Sequence, residues 1–295
     1  MNRGIRLNYY RFKPRNYPII TSWLLKYIVE AFTRGLRCFR VTLDLGITYT
    51  NICIESLDDV ALGDLRINVG DALNIVKDDT VYVLSGNDLI PIKFYDEVLR
   101  RFYKLRALGI DIAPTLEING IHMHRIEGTD PWSDAVIKVR SLGRIVGGKV
   151  LDIGTGLGYT AINSLRKGAR EVLSIEVDEN VLRIASLNPW SKELEHVKIV
   201  LGDASKVLTY LSDNEFTHVI HDPPRYELAG ELYSLEFYKE LYRVLRSGGK
   251  LFHYVGKPKQ RRARILKGVK ERLLRAGFVN VIWVEEALGF RAVKP

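Results

Sequence analysis

Residues 149–158 read Lys-Val-Leu-Asp-Ile-Gly-Thr-Gly-Leu-Gly, and this stretch decides the fold. The apolar run predicts a buried strand, and residues 159–167 after it predict a helix. Gly154, Gly156 and Gly158 stand at every second position between the two. Glycine has no Cβ and adopts positive φ, so the main chain here can approach a ligand closely. The G-x-G-x-G spacing differs from the G-x-G-x-x-G of dinucleotide-binding folds. The glycines by themselves indicate either contact with a nucleoside-type cofactor at the mouth of an α/β sheet or a tight turn between strand and helix.

Acidic residues end four successive predicted strands. They are Asp152, Glu176, Asp203 and Asp222. Because the strand ends of an open parallel sheet line one crevice, we expect the four carboxylates to converge on one site. Glu176 follows Gly158 by 18 residues, near the offset of about 20 at which an acid meets ribose hydroxyls. Each of the four acids could instead cap a helix. The same alternative is strongest for a fifth acid, Asp178, which begins the next predicted helix.

Residues 130–295 resemble the class I S-adenosylmethionine-dependent methyltransferases. The motifs that carry the resemblance are Leu-Asp-Ile-Gly-Thr-Gly-Leu-Gly (151–158), Ser-Ile-Glu-Val-Asp (174–178), Gly-Asp-Ala (202–204), Asp-Pro-Pro-Arg (222–225) and Leu-Arg-Ser-Gly-Gly-Lys-Leu (245–251). A group of uncharacterised archaeal predicted methyltransferases is similar over further motifs. These are Leu116-Glu117, Asp130-Pro131-Trp132, Asn188-Pro189-Trp190 and His221 to Arg225.

The resemblance implies S-adenosylmethionine as the cofactor and a role for each motif. The glycine loop would hold the methionine part, Glu176 the ribose and Asp203 the adenine amino group, while Asp222 would face the methyl acceptor. The implied cofactor-binding residues are Asp152, Gly154, Thr155, Gly156, Gly158, Tyr159, Glu176, Asp203, Ala204 and Asp222.

We place the chemistry at Asp222, Pro223, Pro224, Arg225 and Tyr226. Methyl transfer requires a positioned acceptor and a group that tolerates or removes its proton. An Asp side chain and the next backbone carbonyl offer two hydrogen-bond acceptors to an exocyclic amine, and the prolines stiffen the loop. Asp222, Pro223 and Tyr226 are therefore the candidate catalytic residues. Enzymes that methylate amino groups resemble this motif but carry an aromatic residue where Arg225 stands, a departure that puts amine methylation in doubt.

The order of elements predicts an α/β fold with a small β-rich domain before it. Strands and helices alternate after residue 148, which indicates a doubly wound, mostly parallel sheet of seven strands, Rossmann-like, with a final antiparallel pair. The predicted domains are residues 1–125 and 126–295. We predict helices at residues 22–34 and 96–108 around the strand-like part of the first domain.

The net charge of +9 is concentrated in two segments. Residues 1–40 hold nine Lys/Arg and one acid, and residues 243–275 hold twelve and one. Such clusters favour a nucleic-acid partner, RNA in particular, bound through both segments. A solvated face of an amphipathic helix at residues 262–275 is the alternative.

The remaining composition predicts a cytoplasmic enzyme without a metal. Cys38 and Cys53 are the two cysteines, and their small number fits a reducing compartment. Residues 17–32 are too charged to span a bilayer, and we read no signal peptide. The pairs His122 with His124 and His218 with His221 lack a third ligand, so no metal site is expected. His221 either orients Asp222 or is a buried, hydrogen-bonded strand residue, and we favour the second.

Three other functions stay open. Residues 230–238 resemble spermidine synthases, which transfer an aminopropyl group, but Leu157 stands where those enzymes carry an Asp that binds the amine tail. A methyltransferase for a protein or a small molecule is the second alternative. The third is an RNA-binding module without catalysis, which the complete set of carboxylates disfavours.

Overall fold

The computed structural model describes residues 7–224, 229–256 and 262–295. Its contacts divide the chain into two compact units. The large-sheet unit comprises Met1–Phe12, Trp132–Glu179 and Glu193–Pro295, and the β-rich unit comprises Lys13–Pro131 and Asn180–Lys192. Both units are discontinuous in sequence, whereas the predicted domains divide the chain once, at residue 126, and that assignment remains a prediction.

The first strand, β1 (Tyr9–Tyr10), belongs to the large-sheet unit. The β-rich unit contains short antiparallel sheets, the helices α1 (Ser22–Thr33) and α2 (Val69–Ile75), and nearly all of the later helix Glu179–Ser186. Its strands are β2 (Ile19–Ile20), β3 (Cys38–Val41), β4 (Thr50–Cys53), β5 (Val60–Leu62), β6 (Leu65–Ile67), β7 (Tyr82–Ser85), β8 (Asp88–Pro91), β9 (Lys93–Asp96), β10 (Arg101–Arg106), β11 (Thr115–Ile118) and β12 (Ile121–His122).

The predicted helix at residues 22–34 is confirmed as α1, where the Thr21 hydroxyl accepts a hydrogen bond from the Leu24 N–H. The predicted helix at residues 96–108 was wrong. Strands β9 and β10 pair there as an antiparallel hairpin. Tyr103 and Leu105 are both fully buried on one face of β10. The alternation of buried side chains at every second residue, and not the helix start and stop signals, therefore determined the local structure.

The sequence analysis did not predict a disulfide. Cys38 and Cys53 face each other across β3 and β4, with Cα atoms 4.1 Å apart, and form a disulfide. Disulfides are common in oxidising surroundings and also occur inside hyperthermophiles, so the two cysteines do not decide between the compartments. No helix in the described ranges is both long enough and apolar enough to cross a membrane.

From residue 131 onward strands and helices alternate as predicted. The helices are α3 (Pro131–Ser141), α4 (Tyr159–Arg166), α5 (Glu179–Ser186), α6 (Ala204–Leu208), α7 (Leu235–Val244) and α8 (Arg262–Arg275), with 3-10 helices at Pro189–His196 and Gly230–Tyr233. The strands are β13 (Lys149–Ile153), β14 (Glu171–Glu176), β15 (Lys198–Leu201), β16 (Phe216–His221), β17 (Leu245–Tyr254), β18 (Val279–Val284) and β19 (Gly289–Val293).

These strands form one sheet in the order β1-β15-β14-β13-β16-β17-β19-β18. Five neighbouring strands are parallel, in the order β15, β14, β13, β16 and β17. Strands β19 and β18 form the predicted antiparallel edge. The fold class is confirmed, but the sheet has eight strands and not seven. The extra strand is β1, whose two residues pair antiparallel with β15 and are too few to produce a recognisable strand pattern.

The order of the parallel strands reverses at β13, which has β14 on one side and β16 on the other. Side chains such as Leu151, Val219 and Leu251 are completely buried and hold the helices against the sheet. Ligands of open α/β sheets bind beyond the carboxyl ends of the strands at such a reversal. The segments after Ile153 and His221 therefore mark the candidate site.

Candidate active site

The glycine loop crosses from the end of β13 toward β14. The N–H groups of Gly154 and Thr155 both lie about 3 Å from the Ile175 carbonyl oxygen. Gly154 has a φ of +90°, and a Cβ on it would lie 3.1 Å from the Asp222 carbonyl oxygen. The loop can therefore pass this close to the Asp-Pro-Pro segment only because residue 154 is glycine.

Gly158 has a role that the sequence pattern did not reveal. It caps α4 with a φ of +82°, and a Cβ there would overlap the Leu194 side chain. Tyr159 is buried, with its ring centroid 5.6 Å from that of Trp132. Both residues have packing functions in the structure, and their contact with a cofactor remains a prediction.

Asp152 lies beneath the loop and is completely buried. One carboxylate oxygen accepts from the Thr160 hydroxyl and the other from the Ser174 hydroxyl, each at 2.7 Å. Ser174 also hydrogen-bonds Thr155. Burial raises the pKa of Asp152 to about 7, although the two hydroxyl donors oppose the shift. The carboxyl group thus supports the loop from below.

Glu176 ends β14 and is 7% exposed. Its Oε2 accepts from the Gly156 N–H at 2.9 Å, and its Oε1 accepts from the Val177 and Asp178 N–H groups at 3.0 Å. Burial raises the pKa of this carboxyl group, and the three N–H donors counteract part of the effect. The contact with Gly156 joins the second strand end to the glycine loop.

Asp203 is exposed at the end of β15 and caps α6, whose first residue is Ala204. Its Oδ1 accepts from the N–H and the hydroxyl of Ser205. The Ser205 hydrogen bond lowers the pKa of Asp203. The capping alternative is thus realised at this residue, and adenine binding stays a prediction.

Asp222 follows β16 and contacts a residue that the sequence analysis missed. Its Oδ2 lies 2.7 Å from the Nζ of Lys138 in α3, and the same Nζ lies 2.9 Å from Asp134 Oδ2. Asp134 and Lys138 are one helical turn apart, so only their i, i+4 spacing signalled a pair. Burial raises the pKa of Asp222, and the ammonium of Lys138 counteracts that shift.

The Asp-Pro-Pro segment is held from both sides. The Asp222 N–H lies 3.3 Å from the Ile153 carbonyl oxygen, and the Tyr233 hydroxyl donates to the Pro224 carbonyl at 2.9 Å. Pro223 is buried between them. The candidate catalytic residue Tyr226, like Arg225, lies outside the described residues.

Two buried imidazoles lie behind Asp222. His221 and His253 are fully buried, with ring centroids 4.6 Å apart. His221 Nε2 lies 2.9 Å from the Leu232 carbonyl oxygen, and burial lowers the pKa of this imidazole to about 4. The preferred interpretation of His221 as a buried, hydrogen-bonded strand residue is confirmed. The described ranges contain no group of His, Cys, Asp and Glu that could hold a metal ion.

Comparison with known proteins identifies the family of this chain. The family described as "Methyltransferase small domain" matches residues 128–292, more than half of the chain. The chain belongs to this methyltransferase family. It is 56% identical over 198 residues to "Uncharacterized protein MJ1233" of Methanocaldococcus jannaschii, which is 66% of this chain and 67% of that protein.

Two further similarities are more distant. The chain is 32% identical over 122 residues to "Ribosomal protein L11 methyltransferase" of Listeria monocytogenes, which is 41% of this chain and only 36% of that enzyme. A crystal structure of spermidine synthase with a transition-state analogue has a TM-score of 0.53 at 18% identity, covering 69% of this chain and 73% of that one. This second similarity concerns the fold alone.

Proposed function

We propose that this protein is an S-adenosylmethionine-dependent methyltransferase that modifies a nitrogen atom of RNA. The observation that carries the proposal is the position of Asp222, which lies beside the glycine loop at the reversal of strand order, 22% exposed and ion-paired with Lys138. An acceptor in the crevice can reach this carboxylate, which accepts a hydrogen bond from an N–H group.

The residues around the crevice fit the cofactor. Gly154 and Gly156 have positive φ and expose backbone to a ligand, and the Glu176 carboxylate can accept from ribose hydroxyls. The exposed Asp203 carboxylate can accept from an amino group. When bound, the cofactor supplies a sulfonium methyl group, which passes to the acceptor nitrogen as the sulfur–methyl bond breaks. Asp222 would orient the acceptor by accepting a hydrogen bond from its N–H group and would take up the proton that the nitrogen loses, while the two prolines keep the segment rigid.

Charge supports RNA as the acceptor. The large-sheet unit contains 28 Lys/Arg and 19 Asp/Glu, a net charge of +9, while the β-rich unit contains 16 of each. Helix α8 buries Val269 and Leu273 and exposes Arg264, Lys267 and Lys270. A basic helix on the unit that holds the crevice suits a phosphate backbone. Of the predicted basic segment 1–40, only the first 12 residues belong to this unit.

A protein acceptor is the second candidate, because the relatives named ribosomal protein L11 methyltransferase act on a protein. An aminopropyl transfer has less support. Leu157, at the loop position where the spermidine synthases carry an Asp, is an apolar residue with no exposed surface, so it offers nothing to an amine tail.

The test is transfer of a labelled methyl group to RNA, protein and polyamine fractions of the source cell. We expect label in RNA, and its loss with Asp222→Ala, while that variant still binds RNA because one substitution hardly changes the basic surface. Label in the protein fraction alone would favour the second candidate. A donor preference of tenfold or more for decarboxylated S-adenosylmethionine, about 1.4 kcal/mol, would favour aminopropyl transfer.

A further inference from the structure

The ammonium group of Lys138 is enclosed by groups that fix its position. Its side chain is 5% exposed and that of Asp134 is 3% exposed. The Nζ atom also lies 3.9 Å from the centroid of the Tyr254 ring. A long flexible side chain is therefore held in one place by two carboxylates and an aromatic face.

Stability alone is a weak reason for such a cluster. Removing charges from water costs about as much as a buried ion pair returns, so apolar side chains of similar volume often serve stability equally well. The cluster instead connects the helix α3 to Asp222, whose side chain is 22% exposed at the strand reversal. Its location points to a function in orienting Asp222.

We infer that Lys138 is a positioning residue, which keeps Asp222 ionised and holds its Oδ2 so that the carboxylate accepts a hydrogen bond from the methyl acceptor. This inference rests on the proposed transfer to nitrogen. Protonation would turn one oxygen of Asp222 into a hydroxyl donor and leave the other a weaker, uncharged acceptor for an N–H group.

The surrounding charges explain why a cation is needed. Burial and the nearby Asp134 both raise the pKa of Asp222, and Lys138 acts against them. Asp134 and Asp222 together outweigh the effect of burial on Lys138, whose pKa is raised, so Lys138 stays charged at neutral pH. Among the described residues, the charges that act on Asp222 and Lys138 include Asp134 on α3, Asp152 in β13 and Tyr254 on β17.

A matched control lies at the other end of β13. The Lys149 Nζ is 2.6 Å from Glu215 and 3.2 Å from Glu171, again one ammonium between two carboxylates. Its side chain is 21% exposed. Lys149→Met therefore removes an equivalent ion pair from the same sheet without touching the crevice.

The experiment follows Asp222 directly by carbon-13 NMR of the full chain labelled at Asp carboxyl carbons, with the Asp222 signal assigned through Asp222→Asn. We expect Lys138→Met to raise the pH at which Asp222 ionises by one unit or more, and Lys149→Met to leave it unchanged. Asp134→Asn should shift the same titration to lower pH, because it removes only a negative charge. Asp134→Asn therefore tests whether these neighbouring charges control the ionisation of Asp222, even where Lys138→Met does not fold.

Transfer to the RNA fraction gives a second readout. Lys138→Met should lose at least tenfold in rate at pH 6.5 and recover as pH rises to 9, while Lys138→Arg should keep most of the activity. An unchanged Asp222 titration, or an equal loss of rate at every pH, would overturn the positioning role. A shifted titration with no label in RNA would instead remove the proposed acceptor and leave the role of Lys138 intact.

Discussion

Glu176 shows how one side chain at a strand end can hold the glycine loop. Its carboxylate occupies the end of β14 and accepts the Gly156 N–H. Asp152 shares the same part of the sheet but is satisfied by hydroxyl donors beneath the loop. Two acids at neighbouring strand ends therefore have different environments, and we expect only Glu176 to contact the ribose.

Glu176→Ala should weaken binding of S-adenosylmethionine by about 1 to 3 kcal/mol, because a charged hydrogen-bond acceptor is lost. Titration calorimetry measures this change, with Glu176→Gln as the variant that keeps the shape. Gly156→Val should be worse, since the φ of +55° at this position disfavours a branched side chain. Binding of NAD without binding of S-adenosylmethionine would contradict the assignment of the cofactor.

Gly158→Ala should lower the free energy of unfolding through steric overlap with Leu194 as well as through its positive φ. Gly147→Ala is the control, because Gly147 has a φ of +73° but open space around its Cβ position. We expect the free energy of unfolding to fall by about 1 kcal/mol in the control and by about 1 to 3 kcal/mol more in Gly158→Ala. Urea denaturation measures both losses. Adding Leu194→Ala should recover part of the difference, and equal losses at the two glycines would exclude the overlap.

At the scale of elements, β16 and β17 place two imidazoles in the core behind the Asp-Pro-Pro segment. The Tyr238 hydroxyl lies 2.8 Å from His253 Nε2, and His221 packs on the His253 ring. Burial lowers the pKa of His253 far below that of a free imidazole, and the charge of His221 adds to the effect. This pair favours folding only while both rings are neutral.

The pKa of His221 is about 4 in the folded protein against an ordinary value of 6.5. The unfolded chain binds more protons between these pH values, so the contribution of His221 is complete above pH 6.5 and falls as pH decreases toward 4. Wild type should lose about 2 kcal/mol more than His221→Asn between pH 7 and pH 5. Asp152 has a raised pKa, so its contribution to the free energy of unfolding changes with pH in the opposite direction. Because wild type and His221→Asn both contain Asp152, the difference between the two proteins reports the imidazole alone.

Urea denaturation at the two pH values measures this difference, and His196→Asn provides the control because His196 is exposed. Parallel pH dependence of wild type and His221→Asn would show that the ring is not buried in its neutral form.

At the scale of the whole molecule, the two units differ in charge. The large-sheet unit carries the entire net charge of +9, and the β-rich unit has none. Positive charge is thus associated with the unit that contains the candidate site. This distribution favours RNA binding through the large-sheet unit and does not assign such a function to the β-rich unit.

The triple change Arg264→Ala, Lys267→Ala and Lys270→Ala on α8 should weaken RNA binding and reduce its salt dependence. Each lost phosphate contact removes about 0.7 to 0.9 from the slope of log affinity against log salt. Changing Lys77, Lys93 and Arg100, which are exposed in the neutral unit, removes the same charge and should have little effect. Equal effects of the two triple changes on RNA binding would mean that the charged side of α8 is only a solvated face. Neither triple change should affect cofactor binding.

The sequence by itself determined the parallel sheet, the glycine loop and the four strand ends that carry acids. These features follow from patterns within about ten residues, in which apolar periodicity and glycine spacing act locally. Local signals failed at residues 96–108, where β10 pairs with β9 and β11 and buries Tyr103. Pairing with neighbouring strands outweighed the helix signals there, and pairing with the distant β15 formed β1 where no local signal predicted a strand.

Only the tertiary structure decided the surroundings of each acid. Lys138 and Asp222 are 84 residues apart in sequence, and no spacing rule connects them. Asp152 and Asp222 both end predicted strands, yet one is enclosed by hydroxyl groups and the other is paired with an ammonium group beside the crevice. Burial and the surrounding charges determine the chemistry of a carboxylate, and folding alone brings those neighbours together.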